Sequence, residues 1–407
     1  MIVEIVELAG GGRGFARVDG EAWFVSGALP GERVEAEVER RRAGVVEARA
    51  TRIFVSSAAR EADPCPVASA CGGCDLAHVR REAAEAVLRE IVTGALRHAP
   101  PELANACRSA PVVLSPMGWR LRSRLHWDPA TGILGFLGRR SHRAVDIAPC
   151  RVVSELLVSA RPVLARALGD AGMPPGELEW LEDLRAEHAV AGWWGAGRPP
   201  HVAVPGLAGW QRLDSTGPVA GEGWGDDGVV MQLPVPLFVP VGAFFQGNRH
   251  LVPRLFERVG ELAAGTGCRR VVDLYGGVGF LAAAARHGGI LELAVVESHG
   301  AAAAAAGRNL PGADVVAATA ESYLEVPGEA VGTLAVIDPP RTGLSDQARG
   351  GLLAWNPEAV LLVGCDAARF GRDGGALLRG GYRLESLEIW DLFAGSHHAE
   401  ILALFRL

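Results

Sequence analysis

The stretch Arg270-Val271-Val272-Asp273-Leu274-Tyr275-Gly276-Gly277-Val278-Gly279-Phe280 decides how the chain is read. An apolar run of strand composition meets a glycine-rich turn, and the alanine-rich segment from Leu281 to Arg286 follows as a helix. A strand that passes through glycines into a helix lets a nucleotide-like ligand approach the backbone. Alone the signal is weak, and it gains from what comes next. Leu293-Ala294-Val295-Val296 predicts a second strand ending in Glu297, 24 residues after Asp273, where a carboxylate can accept hydrogen bonds from ribose hydroxyls. Asp314-Val315-Val316-Ala317 predicts a third, before Ala320-Glu321, and Leu334-Ala335-Val336-Ile337 delivers Asp338-Pro339-Pro340-Arg341. In a doubly wound α/β sheet these strand ends converge on one edge, so Tyr275, Glu297 and Asp338 share a pocket. Further on, the run Leu361-Leu362-Val363 stops at Gly364 and the isolated Cys365, a residue that reads either as a nucleophile at a strand end or as a small apolar plug.

The rest of the chain bounds the class. Its 407 residues exceed one ordinary core and predict two or three domains. With 49% apolar and 21% charged residues, a largely disordered chain is excluded. An acid stands at Glu4 where a signal peptide carries positive charge, and no apolar run is long enough to span a bilayer, so the expectation is a cytoplasmic protein without a membrane partner. The net charge of -7 does not itself point to nucleic acid, but six arginines against one acid, Asp128, lie between Arg120 and Arg143. There Trp119-Arg120-Leu121-Arg122-Ser123-Arg124 alternates as a strand with one cationic face, either an RNA contact or a solvated edge.

Seven cysteines, an odd number, argue against a disulfide framework. Cys65, Cys71 and Cys74 crowd together with Gly72 and Gly73 between the last two, a loop able to fold around one centre. Cys150 is the natural fourth ligand and His78 a weaker one, and four thiolates suit either zinc or a [4Fe–4S] cluster. Near the N-terminus, short strands at Ile2–Val6, Ala22–Val25, Val34–Val38 and Val45–Arg49, separated by turns at 10–12, 19–20 and 30–31, predict a small β-barrel. The segment from Arg81 to His98 has helical spacing.

Several of these motifs resemble known families. Gly11-Gly12-Arg13-Gly14-Phe15-Ala16-Arg17 followed by Leu29-Pro30-Gly31-Glu32 is similar to the TRAM domain, an OB-like barrel on RNA-modifying enzymes. The spacing C-x5-C-x2-C with a remote cysteine resembles the iron–sulfur motif of RNA uracil-5-methyltransferases, which favours the [4Fe–4S] cluster over zinc. Phe244-Phe245-Gln246-Gly247-Asn248, Asp338-Pro339-Pro340-Arg341, Cys365 and the tail Phe393-Ala394-Gly395-Ser396-His397-His398-Ala399-Glu400 complete the resemblance to the RNA 5-methyluridine methyltransferases across the chain. That resemblance implies a TRAM-like barrel over 1–56, a central α+β domain with the cluster over 57–235, and a Rossmann-like class I methyltransferase domain dependent on S-adenosylmethionine (AdoMet) over 236–407.

It implies a monomer that methylates uracil C5 in RNA, 23S rRNA ahead of tRNA. Uracil C5 is a poor nucleophile, and thiolate addition at C6 makes an enolate that attacks the sulfonium methyl. Cys365 takes that role and Glu400 the removal of the C5 proton. Gln246, Tyr275, Gly277, Gly279, Glu297 and Asp338 fall at the cofactor, with Arg341 orienting its loop or favouring the thiolate, and Cys65, Cys71, Cys74 and Cys150 at the cluster. A quiet RNA-binding or redox-sensing protein on the same scaffold is the alternative. It is motivated by departures from the family pattern: Gly364-Cys365-Asp366-Ala367 replaces Ser-Cys-Asn-Pro, Phe280 stands where relatives carry a polar residue, and Phe393-Ala394-Gly395-Ser396 replaces Phe-Pro-x-Thr. An acid beside the thiol would raise its pKa unless Asp366 points away or pairs with an arginine.

Overall fold

The computed structural model describes residues 1–148 and 150–407. At the N-terminus six strands, β1 (Ile2–Glu4), β2 (Glu7–Ala9), β3 (Arg13–Val18), β4 (Glu21–Ser26), β5 (Arg33–Arg42) and β6 (Val45–Val55), form one sheet in the order β1-β5-β6-β4-β3-β2. The expected strand Ile2–Val6 ends at Glu4, and a separate strand, β2, follows it. β1 pairs with β5 and β2 with β3, and between them Ile5 N donates to Glu32 O and Val6 N to Phe15 O, each at 2.9 Å. One segment therefore bridges both edges of the sheet and closes it into a barrel. Val3, Ile5, Trp23, Val25, Val34 and Val46 fill the interior. The fully buried Glu32 accepts from Leu29 N at 2.9 Å and Arg60 Nη2 at 2.8 Å, tying the barrel to the chain that leaves it.

Two helices follow, α1 (Ala84–Ala95) and α2 (Pro101–Ser109), then the short strand β7 (Val112–Val113). Their apolar faces, Leu88, Val92, Leu103 and Cys107, belong to the C-terminal core, so segments on both sides of the expected division pack together. The central sheet runs from β8 (Arg122–Asp128), β9 (Ile133–Leu137) and β10 (Ala144–Val145), through α3 (Glu155–Asp170), to β11 (Gly176–Glu182), β12 (Ala189–Trp194), β13 (Leu207–Asp214) and β14 (Gly217–Gly225). It buries Trp180, Trp193 and Trp210 against α3. A hairpin, β15 (Gly228–Met231) and β16 (Leu237–Pro240), spans residue 235.

The C-terminal part begins with α4 (Val252–Thr266), β17 (Arg270–Leu274), α5 (Phe280–His287), β18 (Glu292–Val296), α6 (Gly300–Asn309), β19 (Asp314–Val316) and α7 (Ala320–Tyr323). It ends with β20 (Thr333–Ile337), α8 (Asp346–Trp355), β21 (Ala359–Gly364), α9 (Ala367–Arg379), β22 (Arg383–Trp390) and β23 (Glu400–Arg406). The sheet order is β19-β18-β17-β20-β21-β23-β22-β7. Strands β17 to β21 are parallel, and β17, β20 and β21 at the centre are apolar on both faces, as strands covered by helices on each side must be. β23 runs antiparallel between β21 and β22. The order reverses at β17, which opens a crevice at the carboxyl ends of β17 and β20. No helix among the described residues is long and apolar enough to cross a membrane.

Candidate active site

Because β23 is antiparallel to its parallel neighbour, its first residue lies at the edge where that neighbour ends. The register pairs Gly364 with Ile401, so the next position along each strand places Cys365 beside Glu400. Sheet geometry thus brings a thiol and a carboxylate together across 35 residues of chain. Both line a cleft of about 820 Å³, together with Gln246, Tyr275, Gly277, Glu297 and Asp338. The structure therefore gathers the expected site residues with one exception. Gly279 is buried behind the loop, where at φ +86° a Cβ would meet Leu310 Cδ1 at 2.7 Å, and its glycine is required by helix packing.

The loop after β17 is held in a sparsely populated conformation. Tyr275, a residue with a side chain, sits at φ +62°. Gly277 N donates to Glu297 Oε2 at 2.9 Å, and His299 N donates to the other carboxylate oxygen at 2.6 Å. Gln246 Nε2 donates to Asp338 Oδ2 at 2.9 Å, whereas Asn248 Oδ1 accepts from Leu251 N at 3.0 Å ahead of α4. Neither residue caps α4 itself, whose N-cap Leu251 has no side-chain cap; Asn248 holds the turn just before it.

Electrostatics in the cleft are dominated by burial. It raises Glu400 well above the carboxylate range, and the neighbouring Asp338 raises it further. Glu400 is 3% exposed, and its Oε1 has no hydrogen-bond partner among the described residues. Asp338 is also raised by burial, against the pull of Gln246. Burial, then Glu400 and Asp338, push the Cys365 thiol up to about 12, while Arg341 supplies the opposing positive charge. Asp366 is not the cause: its Oδ1 accepts from Arg369 N at 2.9 Å as the N-cap of α9, so the acid beside the thiol is spent on the helix.

The cleft's outer wall comes from the arginine-rich strand, where sequence reasoning weighed two readings. Arg122 Nε and Arg124 Nη2 donate to the buried Glu179 at 2.9 and 3.2 Å, which also accepts from Gly242 N at 3.1 Å. Arg122 lies 6.0 Å from the ring of Phe244, which is 60% exposed at the cleft mouth. These side chains were not singled out for the site, although the alternation in β8 was the available signal.

A second cavity, of about 300 Å³, is lined by Cys65, Cys71, Cys74 and Cys150 and shares Trp119, Arg120 and Phe136 with the cleft. Burial pushes Cys74 up to about 12, with Cys150 next among the causes, and raises Cys71, toward which Gly73 N–H donates. His78, the weaker ligand option, is buried but does not line this cavity. Among the described residues, no group of three or more histidine, cysteine, aspartate or glutamate side chains is arranged to hold a metal ion. The expected four-thiolate site is thus, among the described residues, a shared cavity and not a closed coordination shell. The cysteine loop is fastened to the C-terminal tail: Asp75 accepts from His397 N at 2.9 Å and pairs with His397 Nδ1, and Leu76 N donates to Gly395 O at 3.0 Å.

Residues 1–51 match the TRAM domain family. A 23S rRNA (uracil(1939)-C(5))-methyltransferase of Pseudomonas aeruginosa is 32% identical over 438 residues, covering 99% of this chain and 93% of that protein. The enzyme of the same description from Pseudomonas putida is 31% identical over 441 residues, with the same coverage of 99% and 93%. Among solved structures, the Pyrococcus abyssi tRNA (uracil-54, C5)-methyltransferase in complex with S-adenosyl-L-homocysteine superimposes at a TM-score of 0.75 over 100% of this chain and 99% of that one. At 21% sequence identity, that likeness is one of fold.

Proposed function

The chain belongs to the RNA 5-methyluridine methyltransferase family, and from that premise we propose that it methylates C5 of a uridine in 23S rRNA through a covalent adduct at Cys365. The observation that carries the reading is the pairing of Cys365 with the unpartnered carboxylate of Glu400 at one sheet edge. Cys365 Sγ adds to uracil C6 as the thiolate, its proton having passed to solvent, and makes C5 the nucleophile that takes up the methyl group. AdoMet, when bound, supplies the electrophilic methyl group. Gln246, Tyr275, Gly277, Glu297 and Asp338 would hold it, with room beside the backbone at Gly277, whose φ is +56° and whose Cβ position has no neighbour nearer than 3.9 Å. Glu400, a stronger base for being buried, takes the C5 proton, and the Cys365 thiolate leaves as the C5–C6 double bond re-forms. A uridine in structured RNA must first be flipped out, at a cost of a few kcal/mol.

The four cavity cysteines would hold a [4Fe–4S] cluster, which would supply a rigid link between the cysteine loop and the segment that carries Cys150. The donor chemistry fits: four sulfurs, a backbone N–H directed at one of them, and the Arg120 guanidinium close enough to act on three. Anaerobically purified protein should then contain about four irons and about four sulfides per chain.

Incubation with labelled AdoMet and 5-fluorouridine RNA tests the nucleophile. Wild type should form an adduct that survives denaturation and Cys365→Ala none. Absence of an adduct, or its persistence in the variant, sinks the assignment. Mapping 5-methyluridine in 23S rRNA from a deletion strain locates the target.

A further inference from the structure

The loop that carries Asp338 and Arg341 is held from behind by a residue that the chemistry above does not use. Asp373 lies on α9, the helix that opens directly after Cys365, and is 2% exposed. Its Oδ2 accepts from Leu344 N at 2.9 Å, and its Oδ1 accepts from Arg372 Nε at 2.9 Å and Arg349 Nη1 at 3.2 Å. Both guanidinium groups reach on to the same stretch of backbone. Arg372 Nη2 donates to Leu344 O at 2.6 Å and to Thr342 O at 3.3 Å, and Arg349 Nη1 donates to Leu344 O at 3.3 Å. A carboxylate is costly to take out of water unless donors fill its oxygens, and here every donor belongs to or leads to residues 342–344.

The contact is close enough to select the residue beneath it. Gly343 stands at φ +70°, and a Cβ there would meet Asp373 Oδ2 at 2.5 Å and Arg372 Nη2 at 2.7 Å. Gly343 N donates to Pro340 O at 2.7 Å, so Arg341 and Thr342 form the tip of a tight turn. The void enclosed by this loop, β21 and the start of α9 is about 10 Å³, room for one water at most, and both Cys365 and Asp373 line it. A shift of the turn is therefore felt at the strand end that holds the sulfur.

Arg341 depends on such support. It is exposed and forms no ion pair among the described residues, so its backbone is what places it. Beside Cys365, Glu400 and Asp338 oppose ionisation of the thiol and Arg341 favours it, while Asp366 is engaged as the cap of α9. We propose that Asp373 is a positioning residue for the methylation: it clamps the 338–344 loop to α9 and so sets the place of Arg341 beside the Cys365 sulfur. The role assigned to Arg341 rests on the reading of Cys365 as the nucleophile. Because the clamp sits on the helix that follows the nucleophile, sulfur and guanidinium are held by one body.

The test uses anaerobically purified full-length protein and reads the rate at which iodoacetamide alkylates Cys365, followed by mass spectrometry on the peptide that contains it. Asp373→Asn should slow alkylation by about threefold to tenfold, the effect of roughly half to one pKa unit on the thiolate fraction. Arg341→Gln should do the same, and the double variant should be no slower than Arg341→Gln, since both changes act on one charge. In Asp373→Asn, kcat for methylation should fall while the dissociation constant for RNA stays at the wild-type value. Arg372→Lys keeps a charge beside Asp373 but loses the fork that holds Leu344 O and Thr342 O, and it should act in the same direction by a smaller factor. It decides the matter where Asp373→Asn does not fold. A purely structural Asp373 would lower the thermal transition and leave the alkylation rate of folded protein unchanged. Such a wild-type rate in Asp373→Asn or Arg372→Lys, or losses that multiply in the double variant, overturns the clamp. The reading of the reaction fails separately: wild type that forms no adduct with 5-fluorouridine RNA sinks it, and the alkylation rates still decide the clamp.

Discussion

The two sulfur-bearing cavities differ in the company each thiol keeps. Cys365 and Cys74 are both pushed up to about 12, in each case first by burial. In the cleft the next contributors are the carboxylates of Glu400 and Asp338, whereas in the cysteine cavity they include Cys150 and Cys71. A lone thiol beside carboxylates has a proton acceptor and an open face, which suits it to attack a carbon and let go again. Thiols facing one another need a shared cation before they can ionise together. Sulfur pKa therefore does not separate the two proposed roles, nucleophile and ligand, and the neighbouring groups do. Trp119, Arg120 and Phe136 form the partition between the two cavities, and the Asp75–His397 pair ties the loop of one to the tail of the other.

The largest expected effect breaks the cleft side alone. Glu400→Gln should cut turnover by about 10²- to 10⁴-fold, the contribution of a positioned base, while Cys365 still adds to the ring. Methylated RNA should then accumulate as a covalent complex on an ordinary uridine transcript, visible on a denaturing gel. Normal turnover would mean that another group removes the C5 proton. On the other side, Cys74→Ser should remove bound iron and lower the thermal transition by on the order of 5–10 °C, at about 2 to 4 °C per kcal/mol. The adduct chemistry of whatever fraction remains folded should persist, and iron content equal to wild type would remove Cys74 from the ligand set.

A smaller effect sharpens the role of burial. Asp273 at the end of β17 is fully buried, its Oδ1 has no partner among the described residues, and burial raises its pKa to about 8. A carboxyl raised above its unfolded value of about 3.9 binds more protons in the folded state, so its stability contribution is complete below that value and is lost as pH rises through about 8. Asp273→Asn keeps the acceptor for Ala282 N and cannot ionise. It should narrow the difference in thermal transition between pH 5 and pH 9 by a few degrees, as differential scanning at the two pH values would show. An unchanged difference would place the pH dependence elsewhere.

Much of the site was legible because the α/β sheet writes its functional edge into the chain. Each parallel strand is an apolar run, and the residue after it, whether Tyr275, Glu297, Asp338 or Cys365, lies at the same edge whatever the loops do. Glycines, by contrast, mark a turn without saying why it is needed. Gly277 lines the cleft and Gly279 packs on α6, a difference that depends on Leu310, distant in sequence. The departure at Asp366 read as an electrostatic problem for the thiol and turned out to be a helix cap, because the direction of a short side chain follows the helix it opens.

Local sequence determined the strands, helices and edge residues, since periodicity and turn chemistry act over a few positions. Only the tertiary structure decided what joins distant segments. Ile2–Ala9 closes the barrel by pairing at both edges, β7 adds to a sheet whose other strands begin at Arg270, and Asp75 meets His397 across 322 residues. The antiparallel return of β23 belongs to the same class, and it is what makes Cys365 and Glu400 neighbours. Such contacts depend on how whole elements pack, so the residues that make them carry no local mark of their partners.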